Sequence, residues 1–287
     1  MRREGGADVM TVHVGRIEGL IVVVLLLGAA STAPVAESQS FAGQTTREIV
    51  SSIYRAPAGL TGDDVIARML ERNRLRNEQL QRYSAVRTYE IRNPEGKLAA
   101  QAVVHVDYRA PDKKKFDKTS EEGSRIVRHM VFDRLMQSES ETSSGREHHD
   151  SAITTTNYTF TLSGVEDVGP YHCFVLEATP KRKEKYLFEG RIWIDAEDFA
   201  VVKIAGHPAK KPSFWINRAD FVRQFQKIAG FWLSCRDETT VDVKMYGRRV
   251  FTVDHQEYVI NADRPVPEGS GDTGEDMVVA PSATLRP

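Results

Sequence analysis

The chain has 287 residues, of which 40% are hydrophobic and 28% are charged. This composition is typical of a globular protein with one large domain or two small ones. Its 39 Lys and Arg residues balance 40 Asp and Glu residues, which gives a formal net charge of −1. Nucleic-acid binding requires a basic surface, so this balance excludes a dedicated nucleic-acid-binding protein.

The N-terminal segment has the order of a targeting sequence. Three arginines precede an apolar run at residues 20–27, and the small residues Gly28, Ala29 and Ala30 follow it. This order predicts a secretory signal peptide over residues 1–30 and export to the periplasm. The run and these three small residues together cover 11 residues, fewer than the roughly 20 that span a bilayer. An uncleaved inner-membrane anchor is the alternative. Residues 31–60 are rich in Ser, Ala, Thr and Gly, which predicts a flexible lead into the domain.

Two segments have the spacing of amphipathic helices. Thr61 can cap the first helix, and Asp63 and Asp64 suit the positive end of its dipole. The apolar stripe of this helix consists of Val65, Ile66, Met69 and Leu70. The second helix begins at Ser124 and ends near Thr142. Its apolar residues, three to five positions apart with charged residues between them, are Ile126, Val127, Met130, Val131 and Leu135.

Most of the domain alternates as β-strands, of which residues 231–245 form the clearest. Odd positions there make an apolar row, interrupted by Asp237 and Thr239, and even positions are mostly polar. One face is therefore buried and the other is wet. We predict an α+β fold, a curved antiparallel sheet covered on its concave face by helices. The other predicted strands are residues 83–92, 98–109, a short strand around Phe116, 158–162, 171–179, 186–195, 199–205, 214–228 and 249–260. Residues 112–118 are expected as a basic turn that leads into the short strand, and residues 120–123 break its pattern. In the last strand, Phe251, Val253 and Val259 are expected to share one face.

Catalytic and metal-binding motifs are absent from the sequence. It contains no HExxH, no G-x-S-x-G, no phosphate-binding glycine loop and no CxxC. We therefore expect neither an enzyme nor a cofactor nor a bound metal. Residues 148–150 are His-His-Asp, but adjacent side chains do not face one metal from a helix or strand, so a solvated loop is expected. The acidic residues at 195–198 predict a hairpin turn, with a calcium site or an acid–base pair as alternatives.

Two cysteines and three basic groups complete the candidate features. Cys173 and Cys235 lie on predicted strands with three strands between them, roughly 19 Å apart in a simple meander. A disulfide needs Cα atoms within about 7 Å, so we expect two free thiols, and a different strand order would reverse this. The basic groups at residues 113–115, 181–185 and 210–211 are expected in turns. They serve there as solvated charges or as contacts to anionic lipid headgroups or a partner.

Two stretches of the sheet region carry a family resemblance. Residues 171–206, YHCFVLEATPKRKEKYLFEGRIWIDAEDFAVVKIAG, and residues 212–247, PSFWINRADFVRQFQKIAGFWLSCRDETTVDVKMYG, resemble the periplasmic LolA-like superfamily. That superfamily includes outer-membrane lipoprotein-sorting proteins and the N-terminal domain of the MucB/RseB regulators. The pairing of LEATPK with IWIDAEDF is the most specific element. The resemblance implies an incomplete β-barrel wrapped around helices, with an apolar cavity in which carriers hold acyl chains.

These observations predict an exported, non-enzymatic protein of the lipoprotein-sorting type. Its hemibarrel domain, residues 61–261, would hold a lipid or lipoprotein acyl chain, and residues 262–287 would form a disordered tail. The alternatives are a sensory or regulatory envelope domain of the MucB/RseB kind, which binds a protein or lipid signal, and a structural envelope protein with a filled core. The candidate cavity lining is the apolar strand face, namely Val104, Val106, Phe160, Leu162, Phe174, Leu176, Ile192, Ile194, Phe221, Phe225, Leu233, Val241, Phe251 and Val253.

Overall fold

The computed structural model describes residues 59–111, 113–141, 152–184 and 186–261. The predicted signal peptide, residues 31–58 of the predicted lead, residues 148–150 and the predicted tail lie outside these ranges. The described strands are β1 (Arg82–Arg92), β2 (Leu98–Arg109), β3 (Lys113–Gly123), β4 (Tyr158–Val168), β5 (Tyr171–Pro180), β6 (Phe188–Asp195), β7 (Val201–Pro208), β8 (Ile216–Ile228), β9 (Phe231–Val243) and β10 (Gly247–Ile260).

All ten strands belong to one antiparallel sheet with the order β3-β2-β1-β10-β9-β8-β7-β6-β5-β4. Strands β4 to β10 follow one another as a meander, because short turns connect neighbours in sequence. The pairing of β1 with β10 joins the first three strands to this meander. Strands β3 and β4 are the two edges and do not pair with each other, so the sheet is not closed. The predicted α+β class, with an antiparallel sheet that stops short of a full barrel, is confirmed.

Helix α1 (Gly62–Gln79) begins at the predicted cap. The Thr61 hydroxyl accepts a hydrogen bond from the Asp64 N–H at 3.2 Å, and the Asp64 carboxylate accepts one from the Thr61 N–H at 2.9 Å. This reciprocal pair satisfies two N–H groups that the first turn leaves free. The helix packs closely on β4, because a Cβ atom on Gly62 would lie only 2.7 Å from the Phe160 carbonyl oxygen. Its apolar stripe enters the core cluster of strands β4 to β8.

The second helical segment, α2, is made of three consecutive pieces, α-helical Arg125–Val127, π-helical Arg128–Asp133 and α-helical Arg134–Glu141. Ser124 caps it, as its hydroxyl accepts the Val127 N–H at 3.4 Å. Phe132 anchors the segment on the sheet, with its ring centroid 5.7 Å from that of Tyr89 and 6.2 Å from that of Phe251. The buried face of α2 packs in a core cluster with strands β1, β2 and β10, separate from that of α1.

Strand β3 corrects the prediction of a turn at residues 112–118 and a broken pattern at 120–123. The strand runs from Lys113 to Gly123, and most of its residues are exposed. It is an edge strand that pairs with β2. Backbone hydrogen bonds to β2 stabilise it, so its sequence does not need alternating apolar residues. Charged side chains are typical of such edges, since they discourage pairing with other chains. The basic group at residues 113–115 therefore lies in a strand rather than in a turn.

Strand β10 departs from strict alternation near its end. Phe251 and Val253 share the buried face, as predicted, whereas Val259 is 43% exposed. Glu257 has a positive φ of 54°, and the pairing with β1 shifts register at this point. One extra residue in a strand turns the following side chains to the opposite face. The grouping of Val259 with Phe251 and Val253 was therefore wrong.

Candidate functional site

Four neighbouring strands each carry one charged or ionisable side chain in a buried row that is mostly apolar. Arg223 lies on β8, Asp237 on β9, His255 on β10 and Arg87 on β1, and each is at least nine-tenths buried. The strand register places Arg223 opposite Asp237 and Arg87 opposite His255. Since paired residues of an antiparallel sheet point to the same face, the four side chains form a polar row across the helix-covered face.

Glu139 on α2 meets this polar row from above. Arg87 donates hydrogen bonds to both Glu139 carboxylate oxygens, at 3.0 and 3.2 Å, and Lys114 on β3 donates to one of them at 3.2 Å. Burial raises the pKa of Glu139, but the attraction of Arg87 and Lys114 outweighs it and holds the pKa well below its ordinary value. Glu139 is therefore a carboxylate at neutral pH, and it ties α2 to strands β1 and β3.

Asp237 connects strands β8, β9 and β10. Its Oδ1 accepts a hydrogen bond from Arg223 Nε at 2.7 Å, and its Oδ2 lies 3.2 Å from His255 Nε2. Burial raises the pKa of Asp237, but the charge of Arg223 and the bond to His255 outweigh it and lower the pKa. Burial and the nearby Arg87 lower the pKa of His255 in spite of Asp237. A neutral His255 thus donates from Nε2 to an ionised Asp237.

A cavity of about 120 Å³ lies over the polar row, between α1 and α2. The two helices bury their apolar stripes in separate clusters, and the cavity lies between these clusters. Its remaining polar lining comes from Asn73, Arg76, Asn77, Tyr83, Ser234 and Tyr258. Its apolar wall consists of Leu80, Leu135, Phe231, Trp232, Leu233, Phe251 and Val253.

Positive charge prevails in the cavity. Among the described side chains that line it, Glu139 and Asp237 are the two anions. The four cations are Arg76, Arg87, Lys114 and Arg223. The whole chain carries a formal charge of −1, so this excess of cations is local. In a partly dehydrated cavity, such an excess favours an anionic guest.

Buried donors of Arg87 and Asn73 have no hydrogen-bond partner within the described part of the chain. They are Nε of Arg87 and Nδ2 of Asn73, whose residue is 9% exposed. The Asn73 carbonyl oxygen accepts a hydrogen bond from Arg76 at 3.1 Å, which leaves the amide hydrogens to point elsewhere. A buried donor without an acceptor costs about 1–3 kcal/mol. A guest with acceptor oxygens would remove that cost.

The predicted cavity lining falls on the helix-covered face, but only three of its fourteen residues border the cavity. These are Leu233, Phe251 and Val253. The other residues pack against helices and neighbouring strands in the apolar clusters, so they form core in this structure. Whether they contact a ligand stays a prediction. The other eleven are Val104, Val106, Phe160, Leu162, Phe174, Leu176, Ile192, Ile194, Phe221, Phe225 and Val241.

Sequence reasoning missed most of the polar row, although the signal was present. The interruption of the β9 apolar row at Asp237 is visible in the sequence, and β8, β10 and β1 each contain one similar interruption, at Arg223, His255 and Arg87. One polar residue in an apolar row is unremarkable by itself. The strand order brings four of them together, and that order is not a local property of the sequence.

The other candidate sites have simpler structures. Asp195 accepts hydrogen bonds from the N–H groups of Glu197 and Asp198, at 3.2 and 2.6 Å, in the predicted hairpin turn. Cys173 and Cys235 are free thiols on β5 and β9. In the described ranges, no group of three His, Cys, Asp or Glu side chains could hold a metal ion. No helix in the described part of the chain is long and apolar enough to cross a membrane.

The fold and the site define an open antiparallel hemibarrel with two helices and a cationic cavity between them. No sequence-family profile and no curated protein matches the chain. Among solved structures it is similar to a LolA superfamily protein of Nitrosomonas europaea, with 13% identity over 73% of this chain and 96% of that one, and a TM-score of 0.37.

Two further solved structures match the chain at similarly low identity. An outer-membrane lipoprotein-sorting protein domain of Vibrio parahaemolyticus is 13% identical over 71% of this chain and 94% of that one, with a TM-score of 0.41. A chain of the MucA/MucB complex of Pseudomonas aeruginosa is 10% identical over 68% of this chain and 93% of that one, with a TM-score of 0.24. The LolA superfamily, which the sequence resembles, is thus among the structural matches. Similarities at these identities and TM-scores do not indicate a ligand or partner for this chain.

Proposed function

We propose that this chain is an exported protein of the cell envelope that binds an anionic amphiphile, either a lipid or an acylated segment of a lipoprotein. The observation that carries the proposal is the combination of an apolar wall and an excess of cations in one cavity. Arg87 and Asn73 offer buried donors to the anionic group, while Phe231, Trp232 and Leu233 offer apolar contact to the chain. We assign it no catalytic residue.

The size of the cavity sets the expected position of the guest. About 120 Å³ is below the roughly 300–1,000 Å³ of typical small-ligand pockets. The charged group and the first part of an acyl chain would therefore occupy the cavity. The remainder would lie along the apolar wall, where burial of apolar surface stabilises the complex by about 25 cal/mol per Å².

Lipoprotein sorting is the finer form of this proposal, expected from the sequence resemblance. It differs from general lipid binding in its cargo, which is an acyl group attached to a polypeptide. The regulatory alternative would use the same cavity to sense an anionic lipid. We favour binding of a cargo or signal over a purely structural role, since a structural core gains nothing from unpartnered buried donors.

Native mass spectrometry of the exported protein, followed by organic extraction, tests the proposal directly. We expect a co-purified acidic lipid or an acylated peptide. Displacement of a fluorescent fatty acid, parinaric acid, provides the second measurement. Dodecanoate should displace it at least about tenfold better than dodecanol, a difference of about 1.4 kcal/mol. If neither compound displaces the probe and no lipid is extracted, the proposal is wrong.

A pair of variants connects binding to the cavity. Leu233→Trp adds bulk to the apolar wall and should abolish binding of parinaric acid. Gln256→Trp adds the same side chain at an exposed position of β10, outside the cavity, and should leave binding unchanged. Circular dichroism of both variants verifies that they fold. Equal loss of binding in the two variants would place the site elsewhere.

A further inference from the structure

One end of the sheet carries a group of exposed hydrophobic side chains. Phe214 is 73% exposed and Trp215 is 49% exposed, both between β7 and β8, and Met245 between β9 and β10 is 88% exposed. The two loops touch, since the Lys244 N–H donates to the Trp215 carbonyl at 2.8 Å. Exposed apolar groups gathered at one place mark an interaction surface. We call Phe214, Trp215 and Met245 the apolar tip.

Basic side chains surround the apolar tip. Residues 209–215 and 244–249 contain five cations and no acidic residue. The Lys244 ammonium lies 3.6 Å from the centre of the Phe214 ring, which holds a positive charge directly beside the aromatic surface. The five cations are Lys210, Lys211, Lys244, Arg248 and Arg249.

Strands β4 to β8 carry charges of opposite sign at their two ends. Strand pairing places Lys181, Arg182 and Lys183 at the same end as the apolar tip. At the other end of these strands lie the acidic residues Glu166, Asp167, Asp195, Glu197 and Asp198. This part of the sheet thus presents a positive end beside the apolar tip, and this end would face a negative surface.

Met245 adds an independent observation. Its φ is 67°, in the left-handed region that glycine or asparagine occupies at low cost. A methionine there destabilises the turn, and its side chain is almost fully exposed and packs little. A strained position that keeps a large apolar side chain in solvent indicates a role outside the fold itself.

We infer that the apolar tip and its cations dock this protein on an anionic membrane surface. Phe214, Trp215 and Met245 enter the interfacial region, where aromatic side chains are favoured. The lysines and arginines contact the lipid phosphates, each contributing electrostatic attraction that acts within a Debye length of the surface. Leu80 and Phe231, which line the cavity, lie at the opposite end of the strands from the apolar tip, so this docking leaves their end of the cavity away from the membrane.

Vesicle co-sedimentation tests the inference. We expect binding to vesicles of phosphatidylglycerol and phosphatidylcholine in equal parts, at least about tenfold weaker binding to pure phosphatidylcholine, and loss of binding at high salt. The emission of Trp215, taken as the difference between the protein and Trp215→Phe, should shift to shorter wavelength on binding. Equal binding to both vesicle types, or no binding to either, would overturn the inference and leave a protein partner as the occupant.

Two variants separate docking from folding. Met245→Gly relieves the left-handed backbone, so it should raise the melting temperature while it weakens vesicle binding. Ile126→Ser removes an exposed apolar side chain of α2, 65% exposed and outside the tip, and should leave vesicle binding unchanged. The Leu233→Trp variant, which blocks the cavity, should still dock, so failure of cavity binding and failure of docking are distinguishable. Unchanged vesicle binding by Met245→Gly together with Phe214→Ser would contradict the inference.

Discussion

Arg223 and Asp237 stand directly opposite each other on β8 and β9, and Nε of the arginine lies 2.7 Å from Oδ1 of the aspartate. Both side chains are nearly buried. Strand β9 also carries Phe231, Trp232 and Leu233 of the apolar wall, so this pair lies beside the apolar part of the cavity. Removing one partner of an ion pair in such a position strongly destabilises the fold, because the remaining charge stays buried without a counter-charge.

Asp237→Ala should therefore lower the free energy of unfolding by about 3–5 kcal/mol, measured by urea denaturation. The matched control is Asp254→Ala, which breaks the cross-strand pair between Arg236 and Asp254, 2.6 Å apart on β9 and β10. These side chains are 41% and 29% exposed, so the loss should be about 1 kcal/mol or less. Comparable losses in the two variants would mean that the buried pair contributes no more than a surface pair.

The stability of the domain should depend on His255 between neutral and mildly acidic pH. Its pKa in the folded state lies below the ordinary value of about 6.5, since burial and Arg87 disfavour the imidazolium. The unfolded chain therefore binds more protons than the folded one as pH falls below about 6.5, and the free energy of unfolding decreases. Above that pH the full stability is present.

Replacing His255 isolates this effect. His255→Gln should remove the part of the decline in unfolding free energy that occurs between about pH 6.5 and 5. Urea denaturation at a series of pH values measures this. His207→Gln, at an exposed position of β7, is the control and should retain the decline. A second decline below about pH 4.5 should persist in both variants. It reflects Glu139 and Asp237, whose lowered pKa values give stability above their unfolded pKa that is lost as they are protonated.

Gly206 should resist substitution because its backbone lies against β6. A Cβ atom there would be 2.4 Å from the Glu189 carbonyl oxygen, and Gly206 pairs directly with Gly190. Gly206→Ala forces the strands apart and should cost about 1–3 kcal/mol. Gly164, at the β4 bulge, has open space around its Cα, so Gly164→Ala should be neutral or slightly stabilising. Thermal unfolding of the two variants measures the contrast, and equal melting temperatures would be the contrary result.

The cysteines should not respond to redox conditions. Cys173 is fully buried, and burial raises its pKa to about 12, so its thiol is protonated and unreactive in the folded protein. Strands β6, β7 and β8 separate β5 from β9, which keeps Cys173 and Cys235 apart. We expect the same melting temperature with and without dithiothreitol, whereas loss of a disulfide would lower stability by about 2–4 kcal/mol. Alkylation of Cys173 should require denaturant.

Much of the secondary structure could be predicted from local patterns in the sequence. Thr61 with Asp64 marks the start of α1, and alternation along β9 identifies its buried face, because capping and strand periodicity involve only neighbours in sequence. Only a short part of strand β3, around Phe116, was predicted, because backbone pairing at the edge of the sheet holds the rest without apolar residues. Val259 was assigned to the wrong face, since a bulge at Glu257 is a single-residue event that periodicity does not show.

The two helices and most of the strands with their apolar faces follow from the amino-acid sequence alone, since they depend on the spacing of side chains along the backbone. The fold as a whole was needed to bring Arg223, Asp237, His255 and Arg87 into one row and to leave a cationic cavity above it between the two helices. This is because β1 and β10 come from distant parts of the chain. Their pairing and register follow from the cooperative packing of the whole sheet rather than from any segment.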